Sequence, residues 1–415
     1  MKTQQERVEL EDAIERILSA VNPAANIVSL PLAAARKCVA AEDVYAMFDS
    51  PPFDRSVLDG FAMNCEDSIN ASPEKPCRLK ISGAVYAGSV FAGTLPHGEV
   101  VRISTGAAMP NGADCMVAKE NVTEENGYIT LCHTLKKHEN YIFKGESLKK
   151  GQLILKEGTV LDSVHLAVLA ENGFDHASVY SPAKIAFMST GSELQTPDGG
   201  RTELAAGKIY NSNETLITNR LAELGFSSHV LPAMQDDAEA AAAAIASNSA
   251  NTDIFITTGA VSVGDKDIMH EVFRILGAQT LFWKVALKPG GAALFGLYKG
   301  KLLACLSGNP FAALANFELL VRPALAKISR RADIQTKRIT AILKNGFTKS
   351  GGPRRFLRAR FNAESSGATS ISWITLPENQ LSGQIFSFFD CNCLADIPAN
   401  SAALPSGSTV EAILL

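Results

Sequence analysis

Three acidic side chains and three glycine-bearing loops carry most of the chemistry legible in this chain. The run Thr257-Thr258-Gly259-Ala260-Val261-Ser262-Val263-Gly264-Asp265-Lys266-Asp267 follows Asp253-Ile254-Phe255-Ile256, which reads as a short buried strand. It precedes residues 268–276, which read as a helix. A strand, a loop rich in glycine and hydroxyl groups, and a helix start let backbone amides cradle phosphate. Two aspartates, Asp265 and Asp267, stand at the mouth of that loop. Carboxylates repel phosphate unless a cation lies between them, and Mg²⁺ is the usual choice. Two more loops share the design: Ser189-Thr190-Gly191-Ser192-Glu193, and Ser307-Gly308-Asn309-Pro310 after the apolar run 302–306. Parallel strands would bring all three to one sheet edge. Asp236 and Asp237 open an alanine-rich helix, where an aspartate reads first as an N-cap. Asp267 allows the same reading, and Glu193 alone reads as a solvated loop residue. Because Glu193, Asp236 and Asp267 all follow strands of one sheet, together they read as a metal site.

Other candidates are weaker singly. Lys284 and Lys288, four apart in Phe282–Gly291, would share one face of a strand. Two ammonium groups on one apolar strand face cost free energy unless an anion meets them; the plainer reading is an edge strand facing water. Pro51 to Met63 is dense in turn formers and acids, and Asp59 before Gly60 is placed to reach another domain or subunit. Residues 330–360 hold ten Lys or Arg against one acid, Asp333. That pattern fits a solvated basic face, or an oxyanion site on Arg358 and Arg360. Nucleic-acid binding is not expected, because few aromatic residues interleave with the charges. Cys391 and Cys393 read as core thiols.

The elements that must position these residues follow from pattern. A chain of 415 residues exceeds one ordinary core. A 46% hydrophobic and 20% charged composition is that of a soluble globular protein, and a net charge of −4 disfavours a general polyanion binder. No signal-peptide core or bilayer-length apolar run is visible, and scattered cysteines fit a reduced cytoplasm. The seven histidines show no zinc spacing. Residues 8–21 read as an amphipathic helix. Short apolar runs between turns read as a β-rich domain over 46–145, inserted in a discontinuous N-terminal helix and linker domain of 1–45 and 146–180. Strands and helices then alternate over 181–330, which predicts a doubly wound α/β domain with ligands beyond the strand carboxyl ends. Residues 331–415 read as a small β domain.

Taken together these segments resemble the MoeA family, the molybdopterin molybdenumtransferases, whose eukaryotic relatives include the E domain of gephyrin. The resemblance runs from Pro52 to Ile397. It rests on Pro52-Phe53-Asp54 with Ser56 and Asp59-Gly60, on Thr105-Gly106-Ala107 with Met109-Pro110 and Gly112-Ala113-Asp114, and on Lys144-Gly145-Glu146. It rests further on Ser189 to Leu194, Asn211 with Asn213, Asp236-Asp237, the Thr257 to Asp267 loop, Lys284 to Gly290, Gly308-Asn309-Pro310, Arg358, and Ser382-Gly383.

The resemblance implies an elongated homodimer of four-domain chains, with a MogA-like central α/β domain and a C-terminal β-barrel. Its cleft would lie between the α/β domain of one subunit and β domains of the other. The implied reaction inserts molybdenum from molybdate into adenylylated molybdopterin, with Mg²⁺-dependent hydrolysis of the adenylate and release of AMP. Mg²⁺ would rest on Asp236, Asp267 and Glu193, and Asp59 would act from the partner's side. Lys284, Lys288 and Arg358 would hold oxyanions. Thr190, Gly191, Thr258, Gly259, Ser262, Gly264, Ser307, Gly308, Asn309, Pro310 and Ser382 would bind pterin phosphate and nucleotide. A MogA-type adenylyltransferase and apo-molybdoenzymes are the implied partners.

The chain departs from the family pattern at Ile142 (usually Arg), Ser147 (Asp), Ala260 (Gly), Gly291-Ala292 (Lys-Pro) and Ala312 (Ser). These departures motivate an alternative: a tungstate-selective or non-catalytic paralogue that binds molybdopterin as a scaffold. An adenylyltransferase is disfavoured, because Thr258-Gly259-Ala260-Val261-Ser262 stands where that family carries Thr-Thr-Gly-Gly-Thr-Gly.

Overall fold

Alternation along three buried strands decides the central architecture. Ile185 and Phe187 face one hydrophobic core while Ala186 and Met188 face another; Ile254 and Ile256 oppose Phe255, and Leu302, Ala304 and Leu306 oppose Leu303 and Cys305. A strand apolar on both faces must be covered on both. The computed structural model describes residues 7–201, 203–261, 267–366 and 369–415. The chain divides into two units: Met1–Val28 with Lys37–Val39 and Val179–Leu415, and Ser29–Arg36 with Ala40–Ser178.

In the first unit, helix α1 (Leu10–Ala20) precedes a sheet built from β1 (Ile185–Ser189), β2 (Ser228–Val230), β3 (Ile254–Thr258), β4 (Gln279–Trp283), β5 (Leu294–Tyr298) and β6 (Lys301–Leu306). The hydrogen-bonded order is β2-β1-β3-β6-β5-β4. The first four strands are parallel, and β5 and β4 join antiparallel. A doubly wound parallel sheet is thus present with an antiparallel edge. The reason is local: β5 and β6 are joined by Lys299-Gly300, both at positive φ (50° and 75°), and a two-residue turn cannot make a parallel crossover.

Helices α2 (Ser212–Glu223), α5 (Pro310–Asn316) and α6 (Arg322–Ile328), with α1 and a π-helical turn at Phe317–Val321, cover one face. Helices α3 (Ala238–Asn248) and α4 (Met269–Leu276) cover the other. Asp237 is the N-cap of α3, its carboxylate accepting from the Ala240 amide at 3.0 Å, which leaves Asp236 outside the helix. Phe187 is fully buried between sheet and helices. Phe187→Ala is expected to cost this unit about 3–5 kcal/mol, read as a lowered urea midpoint at constant slope; an unchanged midpoint would show that the core collapses around the gap.

The barrel strands are β7 (Lys337–Leu343), β8 (Arg354–Ser366), β9 (Thr369–Thr375), β10 (Cys393–Ile397) and β11 (Thr409–Leu414). Their order β8-β9-β7-β11-β10 closes by the β8–β10 pairing. Phe356, Leu394 and Ile413 join the core of the α/β sheet. Asp396 takes Arg354 at 2.6 Å and Arg338 at 2.9 Å, and Glu11 takes Arg354 at 2.6 Å, so part of the basic stretch is spent on ion pairs within the fold.

The second unit is a six-stranded sheet of residues 60–63, 77–85, 99–103, 115–118, 122–125 and 128–131. Gly60 is obligatory there, since a Cβ would lie 1.9 Å from the Val117 carbonyl oxygen. Val44–Tyr45 pairs with Leu153–Leu155, and helix Ser163–Glu171 starts at a capping box of Asp162 and His165. Among the described residues no helix is long and apolar enough to cross a membrane.

Candidate active site

Strands β1, β3 and β6 lie side by side and parallel, so the loops that follow them emerge together at one sheet edge. They touch through their glycines. A Cβ on Gly259 (φ +96°) would stand 2.3 Å from the Thr190 carbonyl oxygen, and one on Gly308 would stand 3.4 Å from the Gly259 Cα. Backbone rather than side chain therefore lines the junction, where amides can meet a ligand's phosphate. Ala260 has φ +48°, a left-handed conformation that favours glycine. The glycine usual in this loop thus has a conformational reason, which this chain overrides.

Around the junction lies a cavity of about 630 Å³, lined by Thr190, Glu193, Asn211, Asn213, Thr258, Gly259, Asp267, Ser307, Gly308, Asn309 and Pro310, among others. It shares Thr190, Glu193, Ala260 and Asp267 with a cavity of about 410 Å³ that also carries Gly191, Lys208 and Asp236. The three acids singled out from sequence thus border one space. Gly191, at φ +149°, leaves room for the Glu193 carboxylate, which would lie 2.5 Å from an added Cβ. Ser262 and Gly264 lie outside the described residues.

On the other side the cleft runs into a cavity of about 770 Å³, sharing Ala292, Ser307 and Asn309. Its lining includes Lys288, Lys349, Arg355, Ser382 and one carboxylate, Glu378. Leu287–Lys288 pairs in parallel with Arg354-Arg355, with Lys288 opposite Arg355. Like charges directly opposite on neighbouring strands are destabilising, so this pair favours an anion. Arg355 donates to the Gly351 carbonyl at 2.7 Å. Fully buried Asn316 ties the walls: its amide nitrogen donates to Gly290 O (2.7 Å), and its oxygen accepts from Ser307 N (3.3 Å). Gly291 is also dictated by space, since a Cβ there would lie 2.9 Å from the Leu287 carbonyl oxygen.

Two sequence expectations are corrected. Lys284 and Lys288 do not share a strand face: the strand is only Leu287–Lys288, and Lys284 has φ +69°. The Lys284 ammonium lies 4.0 Å from the Trp283 ring centre. His270 meets the same ring edge-on at 4.3 Å. Burial, with help from Lys284 and against Asp267, holds the His270 pKa below its ordinary value. Lys288 thus lines the cation-lined cavity, while Lys284 lines none of the three. Arg358 lines none of these cavities: it is fully buried and donates to backbone carbonyls of Leu381 and Gln384.

Asp59 lies in the second unit. Its carboxylate accepts from the Thr105 amide (2.8 Å) and hydroxyl (3.0 Å), with the Lys119 ammonium at 3.8 Å. These donors, the Thr105 amide foremost, hold its pKa below the usual carboxylate value. Thr105→Val is expected to raise it towards that value in an NMR titration of the carboxyl carbon; an unchanged titration would assign the shift to the amide alone. In the same unit Ile142 pairs opposite Arg55, and the Ser147 amide donates to the Ser50 carbonyl.

Sequence reasoning missed Lys208, Lys349, Arg355 and Asn316. Arg355 had a signal in its strand alternation, but only the register opposite Lys288 shows its place. Lys208 and Lys349 stand in irregular segments, and Asn316 reads as one helical residue among many.

Comparison with known proteins gives a consistent picture. Residues 8–173 match the MoeA N-terminal region (domain I and II), 186–327 a probable molybdopterin binding domain, and 340–415 the MoeA C-terminal region (domain IV). A molybdopterin molybdenumtransferase of Staphylococcus aureus is 35% identical over 410 residues, covering 98% of this chain and 95% of its own. One from Staphylococcus epidermidis is 33% identical over 408 residues, with the same coverage. A molybdopterin biosynthesis MoeA protein from Pyrococcus horikoshii superimposes with a TM-score of 0.75 at 31% identity, covering 99% of both chains.

Proposed function

The chain belongs to the MoeA family of molybdopterin molybdenumtransferases, enzymes of molybdenum insertion in cofactor biosynthesis, and from that premise we propose that it couples insertion to hydrolysis of adenylylated molybdopterin. One observation carries the reading: three adjoining cavities around the glycine loops share lining residues, with Glu193, Asp236 and Asp267 at one end and Lys288, Lys349 and Arg355 at the other. A phosphoanhydride with a divalent cation suits the first end, and a tetrahedral oxyanion the second.

At the acid end, Glu193, Asp236 and Asp267 would hold Mg²⁺. They are hard oxygen donors of the kind that ion takes, although among the described residues no three His, Cys, Asp or Glu side chains stand close enough to hold an ion as placed. Bound there, Mg²⁺ would neutralise and polarise the anhydride. The glycine loops orient the phosphates by backbone amides, and Lys284, held against the Trp283 ring, adds positive charge near His270. Water then adds to one anhydride phosphorus, the bridging P–O bond to it breaks with the oxygen staying on the other phosphate, and AMP and the molybdopterin phosphate part as the water's proton passes to solvent. At the other end Lys288 and Arg355 hold molybdate while Ser382 offers a hydroxyl; the Ser307 hydroxyl donates to the Ala292 carbonyl at 2.8 Å. The second unit would supply Asp59 from a partner subunit of a homodimer in the cytoplasm, with an adenylyltransferase upstream and apo-molybdoenzymes downstream.

The test is AMP release from adenylylated molybdopterin with Mg²⁺, with and without molybdate. Release that depends on both, with transfer of active cofactor to an apo-molybdoenzyme, is expected. Tight pterin binding without release would leave a scaffold in place of an enzyme.

A further inference from the structure

Arg358 is the largest fully buried side chain among the described residues. Among the described residues no carboxylate lies within ion-pair distance of it, and its Nε has no hydrogen-bond partner. An unpaired buried cation is costly, because neither water nor a counter-ion replaces its lost hydration. Burial accordingly depresses its pKa. What compensates is a pair of aromatic rings and two carbonyls. The guanidinium carbon lies 4.4 Å from the Phe311 ring centre and 5.4 Å from that of Phe388, and the two rings meet edge-on at 4.9 Å. Nη2 donates to Leu381 O at 2.6 Å and Nη1 to Gln384 O at 2.7 Å. A planar fork suits two diverging carbonyls; an ammonium does not.

The turn so held is a wall of the cation-lined cavity. Between the two carbonyls lie Ser382, which lines that cavity, and Gly383, which lines the adjoining glycine-loop cavity. The Ser382 carbonyl accepts from the Phe311 amide at 3.0 Å, and Gly383 stands against the Asn309 side chain. Arg358 therefore grips both sides of one seam: the Phe311 ring on the α/β side, the Leu381–Gln384 turn on the barrel side.

We propose that Arg358 is a positioning residue for oxyanion use, fixing the Leu381–Gln384 turn against Asn309–Phe311 so that Ser382 closes the cavity occupied by Lys288 and Arg355. The proposal rests on the oxyanion reading of that cavity given above. It replaces direct ligation by Arg358: the guanidinium lies behind the wall and acts through it.

The test uses the full-length protein with molybdate as the probe. Arg358→Met keeps an unbranched chain against the two rings and removes the fork; Arg358→Lys keeps the charge. In Arg358→Met, amides of 381–389 are expected to exchange about tenfold faster, and KM for molybdate to rise about tenfold with kcat within twofold. Arg358→Lys is expected to recover part of both. Faster exchange with unchanged KM, or a raised KM without faster exchange, would overturn the proposal. So would full recovery of KM by Lys while the turn stays loose, since charge alone would then suffice. If Arg358→Met does not fold, Arg358→Lys carries the same comparison. Lys288→Ala separates the two ideas: molybdate KM unchanged there would overturn the oxyanion reading and the proposal with it. KM raised in Lys288→Ala but not in Arg358→Met would overturn the proposal alone.

Discussion

Asp267→Asn is expected to lower AMP release at least 10²–10³-fold, about the effect of removing one preorganised electrostatic group from a dry site, without moving the thermal midpoint. Asparagine keeps the shape and loses the charge. Asp267 borders both the acid-lined cavity and the glycine-loop cavity, so the lost charge acts where anhydride and cation would meet. Raising Mg²⁺ should recover part of the rate, because on the proposed reading the remaining acids, Glu193 and Asp236, would bind the ion more weakly alone. Asp237→Asn is the control: it caps α3 by an acceptor oxygen that asparagine also supplies, and it should leave rate and stability unchanged. A rate within twofold of the parent for Asp267→Asn, with the same Mg²⁺ dependence, would remove Asp267 from the mechanism.

Lys288→Ala is expected to raise the molybdate KM by about 10–100-fold, the weight of one charge-assisted hydrogen bond at about 1.5–3 kcal/mol. Pterin affinity should change little, because Lys288 lines the cation-lined cavity and not the one around the glycine loops. Removing a cation opposite Arg355 also relieves repulsion when no anion is bound. Lys288→Ala should therefore be equally or more stable without molybdate and gain less stability from it. A gain equal to the parent's would show that the anion binds elsewhere, and equal loss of molybdate and pterin affinity would assign Lys288 to the cleft as a whole.

The legible parts of this site were local in sequence. Each glycine loop follows a short apolar run, and adjacent parallel strands bring such loops to one edge; nothing distant is needed to see it. Asp237 was readable as a cap because capping acts over three residues. The misreadings share a different cause. Lys284 was placed on a strand because the run around it is apolar, but a left-handed residue there ends the alternation. Arg358 reads from sequence as part of a solvated basic face or as an oxyanion ligand, because alternation names a face without saying what covers it. Arg355 depends on its register with Lys288, and Asn316 on two turns that meet only when the sheet is complete. The antiparallel edge was hidden in Lys299-Gly300, where turn length sets direction more firmly than the flanking pattern.

Helix α1 has a consequence for synthesis. Leu10, Ala13 and Ile17 are buried in a core whose other members, Val21 apart, lie beyond residue 180, α6 among them. Roughly 300 residues separate α1 from α6, so at about 5–20 residues per second the helix waits some 15–60 s for its partner. During that interval its apolar stripe has no native surface to cover it, while the β unit of residues 40–178 can already fold. A nascent chain stalled before α6 should therefore bind holdase chaperones through its first twenty residues, and release them once the last strands leave the ribosome.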